Sequence, residues 1–270
     1  MSSSTRLHSN FIDPQFLTLP DLVQMWEIYA QYHNVTKERF FERTTTEFDY
    51  INVYSRRDNG AIVGFTGIKI SEMELGKRQP LVAIYYGQVF VLPEFRGDRE
   101  FRLSFIKTGL YFKLKFPLRR SYVWFDAITY KPYVLCSNYL KEFYPVIRKQ
   151  TPGIVAELIQ AVGQRFFGEL FDTARGTISN GSRRVTDRET IIRQKDLKNA
   201  RIRCYTKLNP GFQNGDGLIC VYPNTILNYA YVIMRMLRKS WPESSRPLRS
   251  TAGFLAFFNS KNNLLDHLII

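Results

Sequence analysis

Histidine and cysteine are scarce in this sequence, which holds three of each in 270 residues. Cys136, Cys204 and Cys220 form no CxxC pair, and His8, His33 and His267 are scattered. Those spacings support neither a metal site nor a Ser-His-Asp or Cys-His constellation, so no metal is expected. A sparse, odd cysteine count suits a reducing compartment. Long apolar runs are also missing: stretches such as 81–86 and 226–234 are far too short to span a bilayer. The opening residues, MSSSTRLHSN, carry no apolar centre like that of a secretory leader. The chain therefore reads as cytoplasmic, with contact to a membrane surface left open. Acidic residues are the third shortage, 24 against 38 Lys and Arg, for a formal net charge of +14. Such a surface favours an acidic partner: a phosphorylated cofactor, an acidic carrier protein, anionic lipid or nucleic acid. No nucleic-acid-binding motif is present, so nucleic acid ranks last.

What is there is enough apolar sequence for a proper core, organised around residues 81–117. Residues 81–92, apolar, β-branched or aromatic and bounded by Pro80 and Pro93, read as a mostly buried strand. The turn Glu94-Phe95-Arg96-Gly97 follows. Phe101, Phe105, Phe112 and Phe116 then mark one face of a helix that Pro117 ends. A strand, a glycine-bearing turn and a helix start make an anion site, because unpaired amides point at whatever sits there. Arg96 and Arg99 add charge at that spot. The plain alternative is an ordinary strand–helix unit with a solvated basic turn.

Upstream, residues 11–19 read as a first strand. Thr18 and Asp21 form a capping pattern for a helix carrying Leu22, Met25, Trp26 and Tyr29, with Pro20 in its first turn. Thr36 caps a second helix to about residue 45. Residues 50–55 and 61–70 alternate as strands about the turn 56–60. Downstream come a strand over 121–128, a helix over 133–144 stopped by Pro145, and a helix over 154–171. A polar loop over 172–188 leads to strands at 201–208 and 218–222, where Cys204 and Cys220 would face each other. A basic amphipathic helix over 226–239 and a Pro-containing tail complete the chain.

This order, with Val89-Phe90-Val91-Leu92-Pro93-Glu94-Phe95-Arg96-Gly97 and Asn138-Tyr139-Leu140-Lys141-Glu142-Phe143-Tyr144, resembles the GNAT superfamily of N-acetyltransferases. The resemblance spans about residues 11–145, with the two strands near 201–222 left open as a further part of it. It implies an α+β fold, a mixed, mainly antiparallel twisted sheet flanked by helices, with a helical insertion before the last strands. The chain then divides as one domain over 1–270. It has a core at 11–145, an insertion at 146–200, a late hairpin and basic helix at 201–240, and an extension at 241–270. The implied activity is transfer of an acyl group, long-chain in some members, from acyl-CoA or the phosphopantetheine of an acyl carrier protein to an amine. Backbone amides near Val89, Phe90 and Val91 would meet the acyl oxygen, and Tyr139 would protonate the departing thiolate. The donor phosphates would lie against Arg96, Gly97, Asp98, Arg99 and Phe101. Here the sequence departs from the family pattern, because Arg99 and Phe101 stand where small residues allow close backbone approach. Two arginines would instead meet phosphate through their side chains, at a higher ordering cost.

The residues themselves add two candidates. Asp126, in an apolar strand beside the organising one, is a general base if it points inward and a solvated carboxylate if outward. Gln88 can orient an amine or water but takes no proton. Cys136 reads as a small buried hydrophobe. Arg102, Lys107, Lys113 and Lys115 form a basic face, either for an acidic carrier or simply solvated. Two classes of function remain open: an N-acyltransferase, and a non-catalytic binding protein of the same fold with a degenerate donor loop.

Overall fold

Capping chemistry sets where the first helices begin. In the computed structural model, which describes residues 6–76, 79–147, 149–179 and 191–240, strand β1 (Leu7–Ile12) leads through a tight turn at Pro14–Phe16 to helix α1 (Leu19–Tyr29). The Thr18 hydroxyl accepts from the Asp21 amide, and the Asp21 carboxylate accepts from the Thr18 amide. Two amides that lack helical partners are thereby satisfied. Thr36 caps α2 (Lys37–Thr46) in the same way, through the Arg39 amide.

The rest follows as β2 (Tyr50–Arg56), β3 (Ile62–Met73), β4 (Leu81–Val91), α3 (Arg99–Lys115), β5 (Ser121–Ala127), α4 (Tyr130–Tyr139), α5 (Gly153–Phe167), β6 (Phe171–Asp172), β7 (Thr177–Ile178), α6 (Ala200–Leu208), β8 (Gly217–Pro223) and α7 (Ile226–Ser240). The strands form one sheet in the order β1-β2-β3-β4-β5-β8-β7-β6. Only β4 and β5 pair in parallel among the described strands; the other neighbours are antiparallel. This is the expected mixed, mainly antiparallel α+β architecture.

Strand alternation sends side chains to two layers. On one face Ile84, Tyr86, Val123 and Phe125 pack with Phe112 of α3, Tyr133 of α4 and Tyr205 of α6. On the other, Met25 and Tyr29 of α1 and Phe40 of α2 cover Ile51, Val53 and Phe65. Val155, Leu158 and Val162 of α5 cover Trp124, Ile219 and Val221 on that same second face. Each fully buried side chain of this size contributes roughly 1.5–3 kcal/mol. The run 146–200 is thus partly core, since α5 seals half of the second face.

Several expectations need correction. Residues 201–208 form helix α6, so β8 has no hairpin partner there and is flanked by β5 and β7. The run alternates apolar and polar side chains, which suits a strand. However, Ile202 and Tyr205 also share a helical face, and the Asn199 side chain caps the helix by accepting from the Arg201 amide. Cys204 consequently does not face Cys220; its sulfur lies 3.0 Å from the Tyr133 hydroxyl. Helix α4 starts before Pro132, which is tolerated in a first turn, and ends at Tyr139. Tyr144 instead exchanges backbone hydrogen bonds with Val221. The first strand, expected over 11–19, runs instead from Leu7 to Ile12; a tight turn at Pro14–Phe16 and the Thr18 cap of α1 take up the rest. The loop expected over 172–188 opens with the short β6 and β7. Its remainder from 180, the extension 241–270 and His267 lie outside the described residues.

Helix α7 seats on α3 where Gly109 lets the Tyr229 ring approach closely. A Cβ at Gly109 would collide with the Tyr229 hydroxyl and ring. Gly109→Ala is expected to cost about 1–3 kcal/mol through overpacking, read as a lower Tm. The Gly109→Ala/Tyr229→Ala pair should lose less than the sum of the two singles. Additive losses would mean that this contact does not seat α7.

Candidate functional site

The parallel pairing of β4 with β5 runs from Val82 opposite Ser121 to Tyr85 opposite Trp124 and then stops. Beyond that point β4 continues to Val91 and β5 to Ala127 without partnering each other. A bulge accompanies the parting. Phe90 pairs with Phe65 and Gly87 with Gly67, so Gln88 and Val89 together stand opposite Thr66. Gln88 has φ +50°, the single non-glycine with positive φ among the described residues. That conformation costs a side-chain-bearing residue roughly 1–2 kcal/mol. It also shifts the alternation. Tyr86 and Val91 face the α3 side, whereas Tyr85, Gln88 and Phe90 face α1 and α2.

On the α3 side, past the carboxyl ends of β4 and β5, a cleft of about 340 Å³ separates the start of α3 from α4. Crevices outside the carboxyl ends of parallel strands are favoured ligand sites. Arg96, Phe101 and Arg102 line one wall; Lys131, Asn138 and Tyr139 line the other. The structure therefore brings together Arg96, Phe101 and Tyr139 of the residues expected from sequence. The Arg96 guanidinium donates to the Val91 carbonyl and to the Tyr32 hydroxyl, each at 3.3 Å. The Arg102 Nε is buried with no hydrogen-bond partner among the described residues. Leaving such a donor unpaired carries a desolvation penalty of roughly 1–3 kcal/mol or more.

The start of α3 differs from the expected open amide notch. Asp98 caps the helix, accepting from the Glu100 amide at 2.8 Å and from the Arg6 amide at 3.1 Å. Glu100 accepts from the Ser9 hydroxyl at 2.6 Å and from Lys107 at 2.9 Å. Both carboxylates are buried. The amides of Arg96 and Asp98 donate to the carbonyls of Pro93 and Phe95. Negative side chains thus hold the positive end of the helix, as the macrodipole favours. Gly97 is exposed, and Arg99 is exposed and outside the cleft lining. The Phe101 ring packs edge-on against Tyr54 at 5.0 Å, filling the space a small residue would leave open. Cation side chains, rather than backbone and Arg99, face the cleft. Arg102 and Lys131 were not assigned to the site from sequence, because nothing local marks which side of its helix each one takes.

On the opposite side of the sheet the Tyr85 hydroxyl donates to Asp126 at 2.7 Å, and its ring stacks on Trp124 at 4.3 Å. Asp126 is half-buried and directed toward this second face, not into the α3 cleft. Gln88 accepts from the Thr44 hydroxyl at 3.5 Å, while its Nε2 is buried without a partner among the described residues. Val89 is exposed on the bulge, and Phe90 packs against Tyr29 and Phe65. Burial pushes the Cys136 thiol up to about 12, so it offers no thiolate. A wider hollow of about 630 Å³ lies apart, between α5 and the turn before β4, lined by Glu74, Glu157 and Gln160. Among the described residues no cluster of three or more His, Cys, Asp or Glu can hold a metal ion. Nor is any described helix long and apolar enough to cross a membrane.

No family model matches the sequence, and no curated protein does. Solved structures match parts of it. Escherichia coli ElaA is 16% identical over 54% of this chain and 94% of its own, with a TM-score of 0.36. A Trypanosoma brucei acetyltransferase is 14% identical over 54% of this chain and 97% of its own, with a TM-score of 0.38. Arabidopsis thaliana NAA60, solved with a bisubstrate analogue, is 17% identical over 44% of this chain and 75% of its own, with a TM-score of 0.33. Each likeness reaches about half of the chain, and at these scores none carries a reading of function.

Burial raises the Glu100 carboxyl, but bonds from Ser9 and Lys107 outweigh it and hold the group below the ordinary 4.5. The stabilisation is fully present above that value and is lost as pH falls through the lower folded value. The stability deficit of Glu100→Gln should therefore be full at neutral pH and shrink on acidification below 4.5. Denaturant titrations across that range check this, and a pH-independent deficit would contradict it.

Proposed function

We propose that the chain is an N-acyltransferase of the GNAT type, taking an acyl group from a phosphorylated thioester and passing it to an amine. The observation that carries the reading is the parting of β4 and β5 beside a cleft lined by Arg96, Arg102, Lys131 and Tyr139. Acyl-CoA and the phosphopantetheine arm of an acyl carrier protein both fit the chemistry of this lining. Each brings phosphate to guanidinium and ammonium groups.

When bound, the thioester supplies an electrophilic carbonyl and a sulfur leaving group. Arg96, Arg102 and Lys131 hold the anionic end, and the Tyr139 hydroxyl gives its proton to the departing sulfur. Asp126, steadied by the Tyr85 hydroxyl, takes a proton from the amine on the opposite side of the sheet. Gln88, with a free Nε2 donor beside the gap, orients the acceptor. The reading requires a passage between the two sides where β4 and β5 no longer pair.

A second reading is a non-catalytic binding protein of the same fold. It is favoured by Phe101 filling the space at the helix start and by Asp98 and Glu100 holding that end.

Thermal melts with acyl-CoA of graded chain length and with acyl carrier protein separate these readings. A donor at about 100 times its Kd adds about 2.7 kcal/mol, a Tm rise of several degrees. Arg102→Ala/Lys131→Ala should abolish the rise. Tyr139→Phe should keep it while slowing transfer by about 10²–10⁴. A rise with no transfer to any amine selects the binding protein, and no rise with any donor removes the acyltransferase.

A further inference from the structure

Helices α3 and α7 carry a surface that the proposed chemistry does not use. Residues 101–120 include no Asp or Glu, and neither do residues 226–240. Within these acid-free segments, Leu114 is 80% exposed near the end of α3 and Leu118 96% exposed just past it. Ile226 and Leu227 are 66% and 53% exposed at the start of α7. The two places adjoin, because the Asn224 amide donates to the Ser121 carbonyl and its side chain to the Ser121 hydroxyl. Ser121 lies three residues past Leu118, and Ile226 two past Asn224. Cations surround the leucines. Lys113 donates to the Pro117 carbonyl, and Lys115 is held by the Tyr50 hydroxyl at 2.6 Å. Arg119 pairs with Glu72, and Arg120 is exposed.

We propose that this end of the molecule docks on an anionic membrane surface, with Leu114, Leu118, Ile226 and Leu227 entering the headgroup–acyl boundary. The charge selects the partner: apolar tips among lysines and arginines match a negatively charged bilayer, whose surface attracts clustered cations. The leucines stand proud at 80% and 96% exposure, so a fluid interface that needs no matching shape suits them better than a folded partner. Lys115 is already ordered against the rings of Tyr50 and Tyr111, which limits the ordering cost of presenting its charge. The α3–α4 cleft is a separate place, so docking stands or falls independently of the acyl-transfer reading.

Cosedimentation of the full chain with phosphatidylcholine vesicles, with and without about one third phosphatidylglycerol, tests this. Binding is expected to the anionic vesicles alone and to weaken with salt. Leu114→Ser/Leu118→Ser should reduce it at least about tenfold with an unchanged Tm, since both side chains are solvated. Lys113→Glu/Arg120→Glu should do the same. Absent binding, equal binding to neutral vesicles, or undiminished binding by both variants would overturn the proposal. A dimer in sedimentation equilibrium that Leu114→Ser/Leu118→Ser dissolves would also overturn it, assigning the surface to a second copy.

Discussion

A left-handed residue in the middle of a central strand shapes much of this molecule. Gln88 sits at φ +50° and carries a side chain, so its conformation must be held by the packing around it. On one side Phe90 is fixed among Tyr29, Tyr32 and Phe65. On the other, Tyr86 is buried against Phe105. The extra residue advances β4 against β3 and coincides with the loss of pairing to β5. A continuous sheet would separate its two helical layers completely. Here the β4–β5 pairing ends between Asp126 on one side and the cationic cleft on the other.

Electrostatics at the α3 start follow a different logic from that of an open phosphate cradle. The helix end is satisfied by the protein's own Asp98 and Glu100, tied to the residue before the first strand through Arg6 and to the strand itself through Ser9. That arrangement stabilises the junction of β1 and α3 without a ligand. Positive charge is displaced outward, onto the Arg102 and Lys131 side chains. Side-chain recognition of an anion is more adaptable than a backbone cradle but loses more conformational freedom on binding.

Sequence legibility tracked how local the governing interaction was. The bounds of β4 and α3 were readable because Pro93 and Pro117 act within a residue or two, and α1 because Thr18 and Asp21 cap it directly. Arg201 to Leu208 misled because its apolar pattern suits either period, and only the Asn199 cap breaks the tie. The role of Phe101 was half legible. Its bulk was evident, but that it would pack on Tyr54, nearly fifty residues away, was not. Arg102 escaped for the same reason, since its cleft exists only once α4 folds across it. The bulge at Gln88 has no mark in the local sequence beyond the preceding Gly87.

The distribution of charge bears on how the two proposed surfaces relate. A net charge of +14 spread evenly would repel itself and recognise nothing in particular. Instead α3 divides it lengthwise. Arg102, near its start, is drawn into the cleft, whereas Lys113 and Lys115, near its end, flank exposed leucines. Lys113 and Lys115 lie eleven and thirteen residues past Arg102, so at 1.5 Å each the helix sets these places about 17–20 Å apart, beyond the screening length of physiological salt. An anion at one end therefore does little to neutralise the other, and each surface can recruit its own partner while both rest on a single rigid element.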